Sequence, residues 1–323
     1  EDIWTAPDGL KVSVNARRFS DFPAFEWTLW LENSSDKNSG LFRDINCADF
    51  NIPGAANLAV EKQKIRRGFR VHATHGDSGL FNPRHFAATV MQADYESPLN
   101  FGRGGQARGR SSQIDFPFFK IEREGGASIV AVGWSGQWFC DMALNGGNLN
   151  VRSGVLGAQF YLKPGEKIRM VRMLVMDWEG DPWEANAQFR QLIAKHYIPS
   201  LKGAARPLEP VTWVNSGLIG HQPFNDCTSD NEIAMLEHFK PLRGISYFIT
   251  DAGWYRDGFN FSDGDYYPNE KRFPQGIVPL CRAAKEAGWQ YGLWFDVEKV
   301  FGRTELAKKH PQWLLSKSKE DKD

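Results

Sequence analysis

The chain has 323 residues, and Lys plus Arg (39) balances Asp plus Glu (39), so its formal net charge is zero. That balance argues against a basic nucleic-acid binder and a polybasic membrane-surface protein, and 41% hydrophobic with 24% charged residues is globular usage, not disorder. The length suits about two domains; with no run of ~18 apolar residues and no charged-then-apolar leader, neither a transmembrane helix nor a signal peptide is expected.

Residues 1–180 read as strands separated by Gly, Asn, Asp and Pro. Leu10, Val12, Val14 and Ala16 alternate with Lys11, Ser13 and Asn15. Phe25, Trp27, Leu29 and Leu31 alternate with Glu26, Thr28, Trp30 and Glu32. Period two predicts half-buried strands. The apolar run at 128–134 predicts a strand buried on both faces. Phe160 and Leu162 lead into Pro164-Gly165, with Ile168 and Met170 beyond, which predicts a hairpin. Many strands without intervening helices predict a sandwich. His72 and His75 fall on opposite faces of a strand, a poor arrangement for a shared metal. Cys47, Cys140, Cys227 and Cys281 include no CxxC pair and read as single buried thiols. No cofactor is expected.

A helix follows. Asp181 can cap it, Pro182 suits its first turn, and Phe189, Leu192, Ile193 and His196 share one face. The stretch 202–210 reads as a linker. Then strand and helix alternate. A strand at 210–216 precedes a helix through Ile233, Leu236 and Phe239, for which Ser229 and Glu232 form a capping box. A strand at 245–254 precedes a helix with Ile277, Leu280, Cys281 and Ala284 on one face, stopped by Gly288. A third strand covers 290–298. This order predicts a parallel α/β arrangement. Without a glycine-rich loop after the first strand, a nucleotide-binding fold loses ground.

Polar residues collect at the strand ends: Asn215 and Ser216, Asp251 with Trp254, Asp296 with Glu298. A carboxylate beside indole rings suits a sugar, since the carboxylate accepts hydroxyl hydrogen bonds and the ring covers the C–H face. The alternatives are a loop cap for Asp251, core filling for Trp254, and ion-pair or supporting roles for Asp296 and Glu298.

Four ordered motifs then carry a resemblance: TDAGW at 250–254, GDYYPNEKRFPQG at 264–276, GLWFDVE at 292–298 and HPQWLL at 310–315. With FPAFEW at 22–27, GRSS at 109–112, PFF at 117–119 and GWSGQW at 133–138, the chain resembles glycoside hydrolase family 36 along nearly its whole length. That family comprises bacterial α-galactosidases, α-N-acetylgalactosaminidases and plant raffinose synthases. The resemblance implies a β plus α/β chain: a β-supersandwich, incomplete at its N-terminus, over 1–180; a linking helix and linker over 181–207; and the first three β/α units of a (β/α)8 barrel over 208–323. It implies a retaining α-glycoside hydrolase whose nucleophile and acid/base lie on later barrel strands, in motifs this chain does not contain. The segment after 206 is far short of the roughly 250 residues of a full barrel. The chain is therefore read as a window cut from a longer enzyme, or a shortened product of one, and is expected to be inactive alone, with no catalytic residue assigned.

By matched position, the resemblance implies that Asp251, Trp254 and Trp294 bind substrate, and Asp296 and Glu298 are expected to support them. Two positions depart from the family pattern: Ala252 replaces the second Asp of its AspAspGlyTrp, and Gly217 replaces the Trp of its AsnSerTrp. Both losses should enlarge the pocket, favouring an N-acetylated or otherwise substituted sugar. The alternatives are a raffinose-synthase-like transferase, an α-N-acetylgalactosaminidase and a non-catalytic carbohydrate-binding relative. The expected partners are an oligosaccharide or glycoconjugate, with self-association through open sheet edges, and neither nucleic acid nor membrane.

Overall fold

The computed structural model describes residues 2–61, 64–77, 83–94, 97–103, 110–198, 200–201, 204–205, 226–258 and 261–315. The chain divides into two compact units, Glu1–Ala205 and Arg206–Asp323.

In the first unit the chain forms β1 (Asp2–Thr5), β2 (Leu10–Arg18), β3 (Ala24–Asn33), β4 (Phe42–Arg43), β5 (Asn46–Ile52), β6 (Ala56–Glu61), β7 (Lys64–Thr74) and β8 (Ala88–Ala93). It continues with β9 (Leu99–Phe101), β10 (Phe118–Arg123), β11 (Gly126–Gly133), β12 (Trp138–Asn145), β13 (Asn148–Val155), β14 (Gln159–Phe160) and β15 (Lys167–Glu179). Helix α1 (Pro182–His196) and the short pair β16 (Ser200–Leu201) and β17 (Ala204–Ala205) close the unit. The large sheet has the order β1-β2-β3-β15-β11-β10-β7-β6, with β8 also on β7, and the smaller sheet is β5-β13-β12-β9. Every pairing in both is antiparallel.

The side-chain alternation explains the layers. Val130 and Val132 of β11 and Val171 and Met173 of β15 join Cys140, Met142, Leu149 and Val151 of the smaller sheet in one core. The alternate residues of the same strands, Ala127, Ile129, Ala131, Leu174 and Met176, form a second core under Ala185, Phe189 and Leu192 of α1. A strand sandwiched between a sheet and a helix has no solvent face over its middle, and this is why Ile129–Val132 is apolar without interruption. Burying Phe189 and Leu192 contributes about 1.5–3 kcal/mol each. The Asp181 side chain accepts from the Trp183 amide at 2.9 Å and so caps α1. At the other end of α1 the His196 ring lies 4.9 Å from that of Phe19, while Nε2 reaches Asp21 at 3.0 Å. Lys195 lies 2.6 Å from the same carboxylate and, with His196, holds Asp21 down at about 2.

The hairpin expected at Pro164-Gly165 does not form. Phe160 pairs with Phe42, and β15 pairs with β3 and β11. The intervening groups are taken elsewhere. The Ser39 amide donates to the Leu162 carbonyl at 2.8 Å, the Leu162 amide donates to Ser39 Oγ at 2.9 Å, and the buried Asn33 amide group donates to the same carbonyl at 2.9 Å.

The second unit holds α2 (Ser229–Phe239), β18 (Tyr247–Thr250), α3 (Val278–Glu286), β19 (Gln290–Leu293), α4 (Glu305–Lys309) and a 3-10 turn at Pro311–Trp313. β18 and β19 are parallel, in a register that sets Thr250 opposite Leu293. Met235, Leu236, Phe248 and Ala284 form the core between helices and strands. Three expectations need correction. The strands stop at Thr250 and Leu293, short of 254 and 298. Cys281 is exposed on α3, unlike the other three thiols. Ser229 and Glu232 make no capping box, because Thr228 is the cap, its hydroxyl accepting from the Asn231 amide. The strand expected at 210–216, with Asn215, Ser216 and Gly217, lies outside the described residues.

Candidate functional site

Asp251 and Trp294 are the first residues beyond β18 and β19, and the Trp294 amide donates to the Thr250 carbonyl at 3.0 Å. Parallel pairing therefore places a carboxylate and an indole side by side at the C-terminal ends of neighbouring strands. Asp251 is mostly buried, and its Oδ1 accepts from the Ala252 amide at 2.7 Å. Trp294 is half-buried.

Trp254 takes a different place. It is 2% exposed, and its Nε1–H donates to the Trp294 carbonyl at 2.9 Å. Its ring lies against Tyr255, Tyr266 and Phe295. It backs the strand ends from the core, leaving Trp294 as the more accessible ring. Asp296 is 9% exposed and paired with Lys299 at 2.7 Å, and its carbonyl accepts from the Tyr266 hydroxyl. Glu298 is exposed in a turn, and no described contact ties it to the other four. Ala252 sits in a buried cluster with Cys227, Trp254 and Phe273. The residue is 1% exposed.

The loop motifs form the frame. Asp265 accepts from the Glu305 amide at 3.0 Å and from Arg256 at 3.2 Å, so the start of α4 is fastened to the 264–276 segment. Gly264 before it has φ +111, a conformation glycine tolerates best. Buried Asp263 accepts from the Tyr255 hydroxyl; burial and that neighbouring charge both push the phenol up. His310 and Trp313 stack with ring centroids 3.8 Å apart. Among the described residues, no group of three or more His, Cys, Asp or Glu could hold a metal ion.

The sequence reading missed Glu232 as a buried acid. Its carboxylate accepts from Thr250 Oγ1 at 2.9 Å, and that hydroxyl accepts from Tyr291 at 2.9 Å. Burial pushes Glu232 up to about 7; hydrogen bonds from Thr250 and Cys227 pull the other way, and the Asp251 charge adds to the rise. A signal was present. Glu232, Met235, Leu236 and Phe239 follow i, i+3, i+4, i+7, so the acid heads the buried stripe of α2.

The chain is similar to known proteins over most of its length. The Melibiase family model matches residues 186–323. An α-galactosidase of Escherichia coli is 27% identical over 227 residues, covering 65% of this chain and 30% of the relative. Alpha-galactosidase Mel36A of Lactobacillus acidophilus is 27% identical over 67% of this chain and 31% of its own length. The chain thus spans under a third of these curated relatives. Among solved structures, the GH36 α-galactosidase AgaA of Geobacillus stearothermophilus superposes with a TM-score of 0.71 at 20% identity, covering 97% of this chain and 41% of that one. An α-galactosidase from Lactobacillus brevis gives 0.71 at 19% identity, over 97% and 40%. Family model, curated relatives and shared fold point the same way: the chain is similar to α-galactosidases, and its fold is that of the family 36 structures.

Proposed function

We propose that this chain is part of a retaining α-glycoside hydrolase that removes terminal α-galactose from oligosaccharides. In this reading 1–180 is a β-supersandwich, 181–207 links it onward, and 208–323 is the first part of a (β/α)8 barrel. Asp251 accepts hydrogen bonds from sugar hydroxyls, Trp294 covers a C–H face, and Trp254 with Asp296 holds them from behind. Glu298 belongs to the outer frame. Neither Asp251 nor Asp296 is the nucleophile or the acid, since retaining chemistry needs two carboxyls about 5–5.5 Å apart on either side of the anomeric carbon, and the family motifs that supply them are not in this sequence. The observation that carries the reading is the adjacency of Asp251 and Trp294 at the C-terminal ends of parallel strands, where barrel enzymes bind substrate. Variants of AgaA solved with raffinose and with stachyose bound fit the same substrate class.

The test is titration with methyl α-galactoside, followed by amide shifts. Asp251→Asn should weaken binding about tenfold or more, because an ionised acceptor makes the stronger hydrogen bond, worth roughly 1.5–3 kcal/mol. Equal affinity of the two proteins would move Asp251 to a loop-capping role.

A further inference from the structure

We infer that Glu232 is a positioning residue for the strand-end site: through Thr250 and Tyr291 it fixes the ends of β18 and β19, and thereby the placing of Asp251 and Trp294, without touching the sugar. The inference rests on the sugar-site reading of those two residues.

The geometry is a one-way chain of donors across three elements. Tyr291 of β19 donates to Thr250 of β18, and Thr250 donates to Glu232 of α2. Each hydroxyl in such a chain has its rotor fixed by the next acceptor, and successive bonds polarise one another. Thr250 is the residue before Asp251, and its carbonyl receives the Trp294 amide. A change at Glu232 therefore reaches both site residues through one intermediate.

Glu232 stands in the first turn of α2, where the helix dipole favours an acid, but that preference is met at the exposed Asp230 and does not require a buried carboxyl. Thr228 supplies the cap, and Met235 and Leu236 supply the burial. A leucine would fill the site without the cost of burying a carboxyl. Apart from the weak thiol bond from Cys227, the second carboxyl oxygen, Oε1, is buried without a hydrogen-bond partner among the described residues, which costs free energy. The groups facing Glu232 are Cys227 before α2, Thr250 and Asp251 of β18 and its end, and Tyr291 of β19. Arg272 and Cys281 act one step further out, through Cys227 and Tyr291 respectively. No described cation contacts the carboxyl, so its ionisation near neutral pH is opposed by burial and by Asp251 together. Loss of its proton turns the bond from Thr250 into a charge-assisted one, which draws on the end of β18.

The experiment uses the 323-residue chain with and without methyl α-galactoside, across about pH 5.5 to 8.5. In the ligand-free protein the Thr250 and Trp294 amide shifts should titrate together with a midpoint near about 7. In Glu232→Gln, which keeps a carbonyl for Thr250 to donate to, they should be flat, and sugar affinity should stay within about twofold of the wild type at the acid end and lose its pH dependence. Glu232→Leu should weaken sugar binding about tenfold at every pH. Thr250→Val, which breaks the chain at nearly constant shape, should do the same and serves if the leucine variant fails to fold. An unchanged titration in Glu232→Gln, or wild-type affinity in Thr250→Val, overturns the inference. If the wild type binds no galactoside, the sugar reading fails, while the ligand-free titration still decides whether Glu232 governs the strand ends.

Discussion

At Glu232 the direction of the proton equilibrium sets a stability effect. Its carboxyl rests at about 7 in the folded protein against an ordinary 4.5. The folded state therefore holds a proton that the unfolded chain releases between these values. Stability from this group is greatest below pH 4.5, declines as pH rises towards about 7, and is level above; the whole drop is at most on the order of 3 kcal/mol. Urea midpoints for the wild type should fall over that window more than those for Glu232→Gln, and parallel curves would contradict it. Asp21 runs the other way. Held at about 2 by Lys195 and His196, it favours folding above its ordinary 3.8 and loses that contribution as the medium becomes more acid. Gly264 is a separate test of the loop frame. A Cβ there would lie 3.1 Å from Val300 Cγ1, at φ +111. Gly264→Ala should cost about 1–3 kcal/mol in urea unfolding, and a neutral result would show that the loop can relax.

Elements were legible where one force dominated. Strict alternation marked β2 and β3, and the apolar run at 128–134 marked β11 because that strand is covered on both sides. Asp181 and Pro182 marked the start of α1, and Asp181→Ala should destabilise the first unit by about 1 kcal/mol in urea unfolding. No shift in midpoint would mean that packing of Phe189 and Leu192 alone sets the helix start. Elements were illegible where long-range partners competed with local pattern. Phe160 and Leu162 looked like half of a hairpin, yet Phe42, Ser39 and Asn33, far away in sequence, had the better claim on them. β5 reads Asn-Cys-Ala-Asp-Phe-Asn-Ile, with little β propensity, and owes its strand to β13. Resemblance singled out Asp251, Trp254, Trp294, Asp296 and Glu298 as one set, but their burial, from 2% exposed at Trp254 to an exposed Glu298, is a property of the folded neighbourhood that no motif carries. Glu232 was hidden because three-residue spacing from Ser229 imitates a capping box, a local motif that the inward turn of the side chain overrides.

For the molecule as a whole, the second unit leaves Phe261, Tyr267, Phe295, Val297, Trp313 and Leu315 exposed. Apolar side chains in such number favour association, and sedimentation velocity should show species that grow with protein concentration. A monomer at every concentration would mean that these side chains find cover within the chain. Under the proposed function, residues 1–323 offered an aryl α-galactoside should give no turnover, because a retaining hydrolase without its nucleophile cannot form a glycosyl-enzyme. Turnover abolished by Asp251→Asn or Asp296→Asn would reassign the catalytic carboxylates to this chain.

The pairing of β3 with β15 also imposes an order of birth. They are neighbours in the middle of the large sheet, yet about two thirds of the first unit is made between them. On a ribosome adding about 5–20 residues per second, β3 waits on the order of ten seconds for the strand that will cover its inner edge. Throughout that interval the nascent chain carries an unpaired edge beside Leu31 and Trp27, and whatever protects it during synthesis must come from outside the sheet.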